Sequence, residues 1–149
     1  MDHGANWSRW DLHIHSPATR LANGYAENWD EYLSALSESG LTCIAIANYS
    51  CFAHNELERV RDYFSATSAG ITVFGNIEFR LTQPNKDDEA INAHVLFHEK
   101  LATLDINNRL ARLRLINTSD ANGDRSIHFQ STDLSDPGGR SRGIQATGT

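Results

Sequence analysis

Thr42-Cys43-Ile44-Ala45-Ile46-Ala47 is a short apolar run with no polar alternation, the pattern of a strand covered on both faces within a parallel sheet. Helical patterns flank it. Upstream, Asn28 with Glu31 three residues on makes a capping-box-like start, Leu33 and Leu36 share a face, and Gly40 supplies the stop. Downstream, Leu57, Val60 and Phe64 recur at helical spacing over residues 55–66, with Glu and Arg on the outer face. Further out, a first strand is expected over 10–15, ended by Ser16-Pro17. A third runs over 71–74 and continues past Gly75-Asn76 to Phe79, followed by a polar surface loop over 83–89. A fourth strand over 92–97 and a third helix within 101–115 complete the pattern. Strands alternating with helices predict an α/β fold of βαβ units around a parallel sheet.

The chain has 149 residues, 40% of them hydrophobic and 21% charged, which fits one globular domain. That domain is expected over 1–131. It includes a hairpin turned at Asn122-Gly123, and a polar, loose tail follows over 132–149. The formal net charge of −6 argues against sequence-independent nucleic-acid binding but leaves room for a small phosphate site. Cys43 and Cys51 form neither a C-x-x-C motif nor a disulfide framework. No apolar run reaches the roughly 20 residues that span a bilayer, and the start lacks signal-peptide features. A cytoplasmic protein with no membrane partner is expected.

Chemistry-bearing residues fall late in each expected strand: His13 and His15, Asn48 and Tyr49, Glu78, and His94. Parallel sheets bind ligands at the carboxyl ends of their strands, so these residues are expected on one rim. In a strand, residues two apart share a face, so His13 and His15 can present two imidazoles to one pocket, with Asp11 on the same face. Glu78 ends an apolar strand, where a lone carboxylate is costly unless paired or coordinated. Arg80, two residues on, either binds a phosphate or pairs with Glu78. Trp7, Trp10 and Trp29 read as hydrophobic packing and not as a base-stacking platform, because no basic groove accompanies them.

Asp11-Leu12-His13-Ile14-His15-Ser16-Pro17, Ile44-Ala45-Ile46-Ala47-Asn48-Tyr49, Gly75-Asn76-Ile77-Glu78-Phe79 and His94-Val95-Leu96-Phe97 resemble, in order, the motifs of PHP (polymerase and histidinol phosphatase) domains. Within that family the chain is most similar to the PHP-like domain at the N-terminus of TrlF-type AAA ATPases. The resemblance implies a distorted (β/α)7 barrel carrying divalent metal ions (Mn, Zn or Fe) and hydrolysing phosphoesters, with a nucleotide or nucleic-acid end as the substrate class. It implies that His13 and His15 hold one ion, Glu78 bridges, His94 serves another, and Asp11 orients an imidazole or ligates. The candidate catalytic residues are then Glu78, Asp11 and Arg80. Asn48-Tyr49 stands where many members have Asp-His, and a neutral Asn at a ligand position predicts partial metal occupancy.

About four βα strands and a hairpin make only a partial barrel of this type. No G-x-x-x-x-G-K-[ST] stretch is present, so no ATP site is read here. The chain is expected to be a fragment, a truncated product, or a half-domain completed by an ATPase part supplied elsewhere or by self-association. Two other functions compete: a degenerate, non-catalytic interaction or regulatory module, and a metal-dependent amidohydrolase, for whose later Lys and Asp the chain offers no clear candidate.

Overall fold

The computed structural model describes residues 7–19, 24–49, 51–67, 69–111, 114–116, 126–128 and 145–146. The expected turn at Asn122-Gly123 and nearly all of the 132–149 tail lie outside them. Four main strands and three helices follow one another as β1 (Trp10–Ile14), α1 (Trp29–Glu38), β2 (Cys43–Tyr49), α2 (Glu56–Thr67), β3 (Thr72–Pro84), β4 (Ala90–Phe97) and α3 (Thr103–Leu110). Short strands follow as β5 (Arg114–Ile116), β6 (Ser126–His128) and β7 (Gln145–Ala146). β5 and β6 pair antiparallel, and β7 joins Leu115 and Ile116 of β5 to Arg80 and Leu81 of β3.

β1, β2 and β3 are parallel neighbours, as the apolar run of β2 predicts, and every β2 residue from Cys43 to Asn48 is buried. The helix signals also act locally. Asn28 Oδ1 accepts the Glu31 N–H at 3.2 Å while Asn28 Nδ2 donates to Glu31 Oε2 at 2.9 Å, and Gly40 takes φ +70° just beyond α1. All three helices pack one face of the sheet, where Ile44, Ile46, Val73 and Ile77 meet Leu33, Leu36, Leu57, Val60, Phe64, Ile106 and Leu110. Gly75 allows that approach. A Cβ there would lie 3.0 Å from Leu57 Cδ1 and 3.2 Å from Phe52 Cζ.

The fold departs from a (β/α)7 barrel after β3. β4 runs antiparallel to β3, with Glu78 opposite His94 and Gly75 opposite Phe97. A parallel return needs a crossover of a dozen residues or more, and only Asn85 to Glu89 separate the two strands. The strands therefore form a hairpin. The expected third and fourth βα strands are its two arms, and β3 is one unbroken strand of 13 residues. The result is a small mixed sheet, a half-barrel with more residues in strands than in helices.

The face away from the helices is concave. Ala45 and Ala47, which pair in register with Phe74 and Asn76, are its buried floor. Across that floor Asn76 Nδ2 donates to Leu12 O at 2.7 Å, tying β3 to β1 over the intervening strand. No described helix is long and apolar enough to cross a membrane.

Candidate metal centre

Three strands bring ligand-type side chains to the concave face, and a strand irregularity sets the first of them. Between Asp11 and Ile14, β1 takes three steps while β2 takes two, from Ile44 to Ile46. Such a bulge breaks simple side-chain alternation and re-aims the residues within it. Asp11 Oδ1 accepts the His13 N–H at 3.0 Å, holding the backbone at that point. Asp11 thus uses its carboxylate on the main chain beside the cluster.

His15 follows β1. Its Nδ1 lies 2.8 Å from Ala47 O, which can only accept, so Nδ1 carries the proton and Nε2 presents a lone pair. Its ring stacks on Tyr49, with centroids 5.1 Å apart and planes 18° from parallel. Nε2 of His15 stands 3.3 Å from Nε2 of His13, so the pair faces a common point.

Glu78, on β3, is 4% exposed. Its Oε1 accepts from Asn92 Nδ2 at 2.7 Å. Its Oε2 lies 3.2 Å from His13 Nε2, a contact that is an ion pair only when His13 is protonated, and among the described residues it receives no hydrogen bond. A buried carboxylate oxygen with no donor is costly and marks a place suited to a cation.

His94, on β4, stands opposite Glu78 in the antiparallel ladder, and its ring centroid is 4.6 Å from that of His13. Asn76 Nδ2 is committed to Leu12 O, so Asn76 Oδ1 is the atom that faces His94 Nδ1 at 3.2 Å. The His94 Nδ1 proton points to that oxygen and Nε2 is left with the lone pair. His13, Glu78 and His94 offer ligand atoms within 4.8 Å of one another. Imidazoles and a carboxylate suit Zn, Mn or Fe, and histidines fixed through their second nitrogen are the usual outer arrangement of such sites. The donor set and the orphaned Glu78 oxygen fit a divalent cation.

Of the residues expected at the site, His13, Glu78 and His94 come together and His15 adjoins them through His13. Asn48 does not. It pairs in register with Ile77, on the helix-covered side, while the next residue, Tyr49, pairs with Glu78. Its Nδ2 donates to both Oε1 and Oε2 of Glu56 at 2.8 Å, and its Oδ1 accepts from Ser16 Oγ at 3.4 Å. Arg80 contributes its backbone to β3, opposite Asn92, and its side chain lies outside the described residues.

Three participants are absent from the sequence expectations. Asn76 and Asn92 each precede a site residue, Glu78 and His94, by two positions, and that spacing on a strand was a readable signal. Glu56, expected on the outer face of its helix, is 1% exposed. Burial raises its pKa, against hydrogen bonds from Ser16, the Ala53 N–H and Asn48 that lower it. Tyr32 packs nearby with its hydroxyl buried and unbonded, and its pKa is raised first by burial and then by Glu56.

No known protein-family model matches this chain, and no curated protein matches it.

Proposed function

We propose that this protein is a metal-dependent phosphoesterase whose cation is held by His13, Glu78 and His94, with His15 alongside. The observation that carries the reading is Glu78 Oε2, buried, without a hydrogen-bond donor among the described residues, and facing His13. A bound divalent ion supplies a water activated at neutral pH and charge stabilisation for a transferring phosphoryl group. The chain's own residues keep the imidazole nitrogens aimed: Ala47 O fixes His15, Asn76 fixes His94, and Asn92 holds the far oxygen of Glu78. The order of motifs along the sequence supports phosphoesters as the substrate class, with a nucleotide or nucleic-acid end as the proposed form. A single carboxylate at the cluster among the described residues favours partial occupancy by Mn, Zn or Fe. Cys43, buried as a thiol, fits a reducing compartment, and we place the protein in the cytoplasm.

Elemental analysis of freshly purified protein is expected to find a divalent transition metal. A His13→Ala/His94→Ala variant is expected to lose both the metal and Mn-supported hydrolysis of p-nitrophenyl phosphate. Absence of metal together with no hydrolysis after Mn addition would sink the proposal. One observation favours a binding-only module as the second reading. Asp11 is engaged with the backbone and Asn48 faces Glu56, so among the described residues the cluster holds one carboxylate. Stoichiometric metal with no phosphoester hydrolysis would select that reading.

A further inference from the structure

Trp10 is 65% exposed, contrary to the packing role expected of it, and Leu96 is 51% exposed. Large apolar side chains left in water forgo favourable burial, so their clustering at one place is informative. Both line an open cleft of about 340 Å³, and the same cleft is lined by Leu12, His13, Asn76 and His94. One part of the cleft is therefore formed by two residues of the cluster, His13 and His94, and the other is an apolar wall carrying an indole. The volume lies within the range of small-molecule sites.

We propose that Trp10 is a specificity-determining residue that holds a planar ring on the substrate while its phosphoryl group sits at the cluster. The proposal rests on the metal-dependent reading above. Charge narrows the ligand further. Among the described residues lining the cleft there is no Lys or Arg, and Asp11 is present. A single phosphoryl group can be met by the cation, whereas an additional phosphate meets Asp11 and no cationic side chain. The fitting class is thus a monoester of a ring-bearing alcohol, and the indole face suits an aryl ring or a nucleobase.

Isothermal titration of the full, metal-loaded chain with phenylphosphonate and methylphosphonate tests this without turnover. Adenosine 5′-monophosphate and ribose 5-phosphate form a second pair that separates a nucleobase from a simple aryl ring. Phenylphosphonate is expected to bind about fivefold or more tightly than methylphosphonate, the ratio to fall towards one in Trp10→Ala, and to survive largely in Trp10→Phe. The metal count per chain in each variant is expected to match the parent, which separates loss of ring recognition from loss of fold or cluster. Equal binding of the two phosphonates, or a preference that persists in Trp10→Ala, overturns the proposal. A chain that is dimeric by light scattering, becomes monomeric in Trp10→Ala and keeps its preference overturns it in favour of a second copy covering Trp10. Absence of metal in the parent chain removes the parent reading and this one with it.

Discussion

Asn48 and Glu56 show how strongly one atom's identity governs this interior. Both carboxylate oxygens of Glu56 accept from a single amide nitrogen, 2.8 Å away, in a region closed to water. Asn48→Asp replaces that donor with a second carboxylate, and burying two like charges in contact is expected to destabilise the fold by about 3 kcal/mol or more at neutral pH. Chemical denaturation should show this deficit shrinking on acidification, when one proton can be shared. Glu56 has its own pH signature. Its native pKa is raised above the ordinary 4.5, so its stabilising contribution is complete below that value and is lost as pH rises through the native one. Relative to Glu56→Gln, the parent's unfolding free energy should therefore decline with rising pH above 4.5, and a rising difference would refute the assignment. At the cluster, Asp11→Ala removes the acceptor that holds His13 N–H and is expected to weaken metal affinity about tenfold, while Asp11→Asn keeps an oxygen there and most of the affinity. Competition with a chelator measures both.

Among the elements, the β3–β4 hairpin decides the architecture, and its loop length was in plain view. Asn85 to Glu89 is too short a connection for a parallel return, yet alternating helix and strand signals elsewhere favoured a βαβ reading. β2 and the two helices beside it were legible because each buries a complete pattern: six consecutive buried residues in β2, and Leu57, Val60 and Phe64 at helical spacing in α2. The pairing of His13 with His15 was expected from alternation, but the bulge at Asp11–Ile14 that re-aims His13, and the end of β1 before His15, were not legible, since they depend on the register with β2. Glu56 was hidden for a similar reason. A charged residue in the first turn reads as solvent-facing unless its partner, Asn48 on another strand, is known to be there. Close packing gives the hairpin's root its own test. Gly75→Ala places a methyl carbon 3.0 Å from Leu57 Cδ1 and 3.3 Å from Ile106 Cδ1, so a loss of about 1–3 kcal/mol is expected in thermal or chemical unfolding.

Taken whole, the molecule is a sheet with one face given to helices and the other curled around a polar cluster. The curl relies on reaches across the concave side: Asn76 to Leu12 O, and His13 towards Glu78 and His94. These reaches have unequal ends. Glu78, Asn92, Asn76 and His94 all belong to one hairpin, whose pairing assembles them from nearby sequence, whereas His13 comes from β1, a strand with one described neighbour, β2. A cation shared between the hairpin and His13 would therefore act as a latch on an edge strand. Amide hydrogen exchange reads such a latch directly: adding Mn or Zn should slow exchange at β1 far more than at β2, because ligand binding raises the free energy only of openings that release the ligand. Uniform protection across the sheet, or none at β1, would separate metal binding from strand anchorage. In this fold the ordering of the first strand would become a record of whether the proposed site is loaded.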